Sequence, residues 1–136
     1  MRIVIVAVGR LRPPFVDDVA HYSKLLSRYA RTEITEVDDD AALQRRLPRR
    51  AFTTLLAIDG KPLDSVKFSD FLEQRRMSGL DLCFVIGGAF GAPDLDGIDQ
   101  RLSFGPVTLP HQLARVVLLE QLYRAHKILA GEPYHH

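Results

Sequence analysis

Residues 108–136 read TLPHQLARVVLLEQLYRAHKILAGEPYHH, and this stretch governs how the rest of the chain must be arranged. It is a helix with a polar tail. Thr108 is placed to cap it, Pro110 falls in the first turn where a missing N–H does no harm, and Gly131 with Pro133 stops it. At about 100° per residue, Val117, Leu118, Leu122, Ala125, Ile128 and Leu129 form one wide apolar arc. Leu113, Val116, Leu119 and Tyr123 form a second, interleaved with Arg115, Glu120, Arg124 and Lys127. A helix apolar on both sides is buried on both sides. One arc is therefore expected to meet its own domain, and the other a second subunit.

Upstream of this helix, strand and helix signals alternate. MRIVIVAVG (1–9) holds Ile3, Val4, Ile5, Val6 and Val8 in a near-continuous β-branched run, as in a strand buried on both faces, and Gly9 ends it. Behind Pro13-Pro14, the positions Phe15, Val19, Tyr22, Leu26 and Tyr29 step by four and three, the stripe of an amphipathic helix. TEITEV (32–37) alternates as a short strand, and Asp38 to Asp40 offer N-caps for a small helix through Leu47 that Pro48 stops. FTTLLAI (52–58) is a third strand ending at Asp59-Gly60. Ser65 opens a helix to about Met77, with Phe68, Phe71 and Leu72 inward and Gly79 at its end. LDLCFVI (80–86) is a fourth strand, GGAFGAPD (87–94) a glycine-rich turn, a short helix follows near Asp94 to Gln100, and RLSFGPVT (101–108) is a weaker fifth strand. This alternation predicts an α/β fold over 1–136 as a single domain, an open parallel sheet with helices on both faces. Ligands bind such sheets at the carboxyl ends of the strands, here Ile58-Asp59-Gly60, Gly87-Gly88 and the loop after Leu102.

Composition narrows the function. A chain of 136 residues, 46% hydrophobic, supports one compact core. Its 18 basic and 17 acidic residues leave a net charge of +1, without the strongly basic footprint of a free-standing nucleic-acid binder, so any RNA affinity must be local. Arg45, Arg46, Arg49 and Arg50 place four guanidinium groups in six positions, read either as a solvated face or as phosphate contacts joined by Arg10, Arg12 and Arg115. Cys83, the only cysteine, lies in the apolar run LCFVI and reads as a buried inert thiol rather than a nucleophile. With no long apolar span and no basic-then-apolar leader, a cytoplasmic protein without a membrane partner is expected. FVIGGAFG (84–91) matches neither the dinucleotide nor the P-loop fingerprint, which argues against a small oxidoreductase. On the residues alone it is either an ordinary glycine turn or a place where a ligand approaches bare backbone. Arg124 is spaced to pair with Glu120, and Asp59 either orients a cofactor or caps a turn.

TLPHQLARVVLLEQLYRAHKI followed by PYHH resembles the C-terminal signature of the ribosomal RNA large subunit methyltransferase H family, small enzymes of the SPOUT class. The resemblance continues through IVAVGRL (5–11), LLAIDGKPLDS (55–65) and FVIGGAFG (84–91), and so covers essentially the whole chain. The chain departs from the family in a shorter segment between Val37 and Phe52, and in ending His-His where a basic residue often closes the tail. The resemblance implies a SPOUT-type α/β knot with a C-terminal trefoil knot, homodimerisation, and S-adenosylmethionine as cofactor without a metal. Carried over position by position, the cofactor lies between loops at Ile58, at Gly87 and at Phe104, Gly105, Pro106, Val107, Thr108 and Leu109. The implied reaction is N3-methylation of a pseudouridine in a stem-loop of large-subunit (23S) ribosomal RNA, on the ribosome. An imide N–H must lose its proton to attack, which makes Tyr134 and His135 on the tail the catalytic candidates, as base or as stabiliser of the anion. His111 serves either a helix-end hydrogen bond or the chemistry. The alternative from another class is a non-catalytic nucleotide- or RNA-binding module of α/β fold, which would need no Tyr134-His135 pair beside a donor site.

Overall fold

The computed structural model describes residues 1–88 and 91–135; Ala89 and Phe90 of the glycine-rich stretch and His136 of the tail lie outside the described residues. The elements are β1 (Arg2–Val8), α1 (Phe15–Leu26), β2 (Arg31–Val37), α2 (Asp40–Arg46), β3 (Ala51–Pro62), α3 (Ser65–Ser78), β4 (Asp81–Ile86), β5 (Gln100–Ser103) and α4 (His111–Leu129). The five strands are all parallel in the order β2-β1-β4-β3-β5. The expected α/β architecture with helices on both faces is borne out.

The period of two in the central strands divides the core. Ile3, Ile5 and Ala7 of β1 and Leu82, Phe84 and Ile86 of β4 face one layer with buried residues of α1, α3 and α4. Val4 and Val6 of β1 with Cys83 and Val85 of β4 face the other, under Leu43 of α2 and the half-buried Leu95 and Ile98. Cys83 is fully buried and burial pushes its thiol up to about 12, so it is inert as read.

Three expectations are corrected. No helix forms near Asp94 to Gln100. There the backbone of Asp99 donates to Thr53 O at 2.9 Å, its carboxylate accepts from Thr53 N at 2.8 Å, and Gly97 sits at φ +79°. Pairing with the edge of β3 takes the backbone groups a helix would have needed. Thr108 does not cap the last helix: Pro110 occupies the N-cap position and no side-chain cap bond is made. β3 also runs past Asp59-Gly60 to Pro62, re-pairing with β5 after a register shift between Leu56 and Lys61. A Cβ on Gly60 would stand 2.7 Å from the backbone of Arg101 and Leu102, so only glycine lets the strands approach there.

The second apolar arc of α4 is corrected too. Leu119 is fully buried and Tyr123 nearly so within the chain itself. Gln121 of α4 accepts from Ser65 of α3 at 2.6 Å, while Tyr123 packs edge-on against Tyr29 beyond α1, so the helix lies between its own two neighbours. Arg115 and His126 occupy the centre of the buried face, and the two arcs are the shoulders on either side.

Arg115 is 1% exposed and donates to Glu36 Oε2 at 2.6 Å and to the carbonyl of Gly9 at 3.1 Å. It is therefore not available to RNA phosphates. Gln112 donates to Arg10 O at 3.0 Å and accepts from Arg12 N at 2.8 Å, and Glu36 also accepts from Leu11 N at 2.8 Å. The start of α4 is thus stitched to the turn after β1. Burial raises the Glu36 pKa, but the hydrogen bonds from Arg115 and Leu11 outweigh it and leave the carboxyl below its ordinary 4.5. A depressed carboxylate contributes stability that is present above about 4.5 and lost as pH falls through its lowered folded value. Glu36→Gln is expected to lower stability by about 1–3 kcal/mol at pH 7, with the gap to wild type closing in urea melts as pH falls below the carboxyl's lowered folded value.

Candidate active site

From β5 at one edge of the sheet, residues 104–110 cross the carboxyl ends of β3 and β4 to start α4 beside Gly9, against which the His111 ring lies. Seven residues reach about 23 Å when extended, ample for three strand spacings of about 4.8 Å. The crossing closes one side of a cleft at the strand ends. Its walls are Ala57 and Ile58 at the register shift within β3, Gly87 and Gly88 after β4, the crossing segment itself, and His111 and Ala114 of α4.

Of the residues expected at a cofactor site, the structure places Ile58, Gly87, Phe104, Gly105, Val107, Thr108 and Leu109 around this one cleft; Pro106 is exposed on the crossing but is not on the cleft wall. Ile58 and Val107 are 55% and 61% exposed, two large apolar side chains left open at the mouth. Freed of a capping role, Thr108 also faces the cleft. The first N–H groups of α4 have no side-chain cap, so they remain as donors at its wall. Gly88 N is held by Asp40 Oδ1 at 3.1 Å, fixing the glycine turn to the start of α2. Asp59 neither faces the cleft nor caps a turn. It pairs with Arg101 at 2.7 Å on the surface.

Sequence reasoning passed over Ala57, Ala92 and Ala114, which also line the cleft. Their shared signal is small size, the same property that marked the glycines.

Tyr134 and His135 lie elsewhere. Tyr134 donates to Glu120 Oε2 at 3.0 Å and packs edge-on against Tyr123 at 4.9 Å, with the Arg124 guanidinium 4.9 Å from its ring centre. Arg124 also bonds Glu120 at 2.9 Å, the expected spacing pair, and reaches His135 Nδ1 at 3.0 Å. Glu120 stands nine residues along α4 from His111, about 13 Å of helix rise. The structure does not bring the tail to the cleft of its own chain. At the root of the tail Glu132 is gripped by Tyr29 at 2.8 Å and Lys127 at 3.0 Å. Burial, helped by the hydrogen bond to Glu120, pushes the Tyr134 phenol up to about 12, so it is a proton donor and not a base at neutral pH. A guanidinium has no acceptor, so His135 Nδ1 receives the Arg124 bond and a neutral ring carries its proton on Nε2.

Among the described residues no cluster of three or more His, Cys, Asp or Glu has the arrangement of a metal site, and no helix is long and apolar enough to cross a membrane.

A family model described as a predicted SPOUT methyltransferase matches residues 1–135. The chain is 40% identical to ribosomal RNA large subunit methyltransferase H of Carboxydothermus hydrogenoformans over 158 aligned positions covering 99% of each protein. The corresponding proteins of Enterococcus faecalis and Clostridioides difficile are 39% and 36% identical over the same coverage.

Proposed function

The chain belongs to the SPOUT methyltransferase family, and we propose that it is a cytoplasmic, homodimeric enzyme that methylates N3 of a pseudouridine in large-subunit (23S) ribosomal RNA on the ribosome, using S-adenosylmethionine. The carrying observation is the convergence of Ile58, Gly87 and the 104–109 segment on one cleft at the carboxyl ends of the strands. Residues 104–110 are read as part of the trefoil knot, since they cross two strands before α4 packs back between α1 and α3.

The cleft suits the cofactor. Glycines and alanines leave backbone open, Ile58, Val107 and Leu109 offer apolar cover for an aromatic base, and the uncapped start of α4 offers N–H donors to polar or anionic groups. Bound there, S-adenosylmethionine supplies an activated methyl group on a sulfonium. The chain's own work is positioning, worth roughly 7–11 kcal/mol of barrier, and stabilising the anion left when the imide N–H gives up its proton to water. With Nδ1 turned to Arg124, His135 presents Nε2–H to the acceptor and stabilises the deprotonated imide as a donor, while Tyr134, whose one O–H is given to Glu120, anchors the tail in that position. Because the tail docks on the outer half of α4, away from its own cleft, it serves the cleft of a second copy.

The dimer reading rests on Leu113 and Val117, half-buried on the outward side of α4; Val116 packs against the chain's own core. Leu113 lies about 160° from buried Arg115 on the helical wheel. Leu113→Glu is expected to split the dimer without unfolding the chain, read by sedimentation at micromolar concentration; a wild-type monomer would sink the idea. Leu119→Glu is no test of it, since Leu119 is in the core. For the activity itself, incubation with S-adenosylmethionine and ribosomes lacking the modification is expected to add one methyl group to a single pseudouridine, mapped by mass spectrometry. Tight cofactor binding with no methylation of free RNA, subunits or ribosomes would instead support the non-catalytic binding module.

A further inference from the structure

We infer that Arg45, Arg46, Arg49 and Arg50 form a second contact surface, remote from the cleft, for the sugar–phosphate backbone of the RNA. The inference rests on the reading of the protein as an RNA methyltransferase. All four side chains are exposed at the end of α2 and in the loop to β3. Among the described residues none of the four has a carboxylate within ion-pair distance, a state they share with Arg10, Arg12, Arg28 and Arg75 but not with Arg2, Arg31, Arg76, Arg101, Arg115 and Arg124; only here do four such arginines fall within six positions. Of the acids on this side of the molecule, the Asp99 carboxylate holds Thr53 N and Asp39 caps α2 by accepting from Ala42 N. The helix dipole accounts for Arg45 and Arg46 in the last turn of α2. It gives no reason for Arg49 and Arg50, which follow Pro48 outside the helix. In a chain of net charge +1, four mutually repelling cations without counter-ions are a local concentration of positive potential that a polyanion relieves.

The placement suits one continuous ligand. Asp40 at the start of α2 is bonded to Gly88 on the cleft wall, and α2 runs away from it toward the amino ends of the strands. Arg46 is about 9 Å along the helix from Asp40, and Arg50 precedes Ile58 by eight residues, about 26 Å of strand. At about 3.4 Å per nucleotide along one strand of a duplex, the patch meets phosphates about three to eight nucleotides from a base held in the cleft.

The test combines Arg45→Gln, Arg46→Gln, Arg49→Gln and Arg50→Gln in one chain, with a matching set of four Arg→Lys changes. Affinity for large-subunit ribosomal RNA and for ribosomes is measured between about 50 and 200 mM salt, alongside methylation kinetics and S-adenosylmethionine calorimetry. The Gln set is expected to flatten the slope of log affinity against log salt by about 0.7–0.9 per lost phosphate contact. KM for RNA should rise more than about tenfold, while kcat and cofactor affinity stay unchanged. The Lys set should recover most of the slope, which a merely structural role of the arginines would not produce. An unchanged slope and KM in an active enzyme would overturn the patch and leave the methyltransferase reading standing. Impairment on ribosomes with naked RNA unaffected would overturn it in favour of a protein contact. A wild-type enzyme that methylates none of these substrates would take down the functional reading and the patch together.

Discussion

Gly87→Val abolishes binding of S-adenosylmethionine while leaving a folded protein, and Gly87→Ala weakens it in a graded way. A Cβ at Gly87 would stand 2.6 Å from the carbonyl oxygen of Gly91 and 2.8 Å from Pro93 Cδ, closer than such atoms approach. Neither neighbour is the far end of a flexible side chain, so the loop forming that wall of the cleft must shift. Overpacking of this kind costs about 1–3 kcal/mol. If the cleft must be restored against that cost, the alanine variant loses roughly 5- to 150-fold in Kd, and the two extra methyls of valine fill what remains. The strand beneath is not threatened, since Phe84, Val85 and Ile86 keep their packing on both layers. Gly79→Ala is the control: it places a side chain at φ +77° with nothing within 4 Å, on the end of α3. It should lose about 1 kcal/mol of stability and no cofactor affinity. Calorimetry that finds Gly87→Val folded and binding normally would move the cofactor out of this cleft.

What the chain disclosed in advance followed from rules that act locally. The near-continuous β-branched run of β1 and the apolar run LCFVI of β4 announce buried strands, and strand-end glycines announce where backbone is bare. Both readings need only neighbours in sequence. The helical wheel of α4 failed for a different reason. It sorts residues by polarity, and the centre of the buried face holds Arg115 and His126, to which the fold gives Glu36, the Gly9 carbonyl and the Leu122 carbonyl as partners, leaving Arg115 Nε and His126 Nε2 without one. Those partners lie on other elements or in the preceding turn, so polarity split one buried face into two apparent arcs and suggested a partner subunit for residues that the chain buries itself. The missing helix at Asp94 to Gln100 has the same origin, because the bonds between Asp99 and Thr53 tie that segment to β3, 46 residues earlier in the chain. Side-chain identity also gave no hint of where the tail rests. That depends on Glu120 and Arg124 meeting Tyr134 and His135 after the chain has reversed direction at Gly131 and Glu132.

Deleting residues from Tyr134 onward reduces methylation by about 10² or more, the scale of a lost anion-stabilising donor, and leaves cofactor affinity and dimerisation nearly unchanged. The separation in space makes this expectation sharp. The cleft is built at the start of α4, and the tail is seated on Glu120 and Arg124 more than two turns further along, so truncation removes no cleft wall. Tyr134→Phe should fall between wild type and truncation, because the ring keeps its packing on Tyr123 and loses only the bond to Glu120. His135→Ala should approach the full loss if His135 meets the imide. Subunit mixing then asks whose cleft the tail serves. Tail-deleted chains keep a sound cleft and Gly87→Val chains keep a sound tail, and neither homodimer should turn over. In a two-fold dimer assembled at random, half of the molecules are mixed and each mixed molecule holds one complete site if tail and cleft come from different chains. Activity should then return to about a quarter of wild type. If each tail served its own cleft, the mixed dimer would contain one chain with a cleft and no tail and another with a tail and no cleft, and no activity would return. Verified heterodimers that stay inactive therefore rule out the shared site and require the tail to leave its seat on Glu120 and Arg124 during turnover.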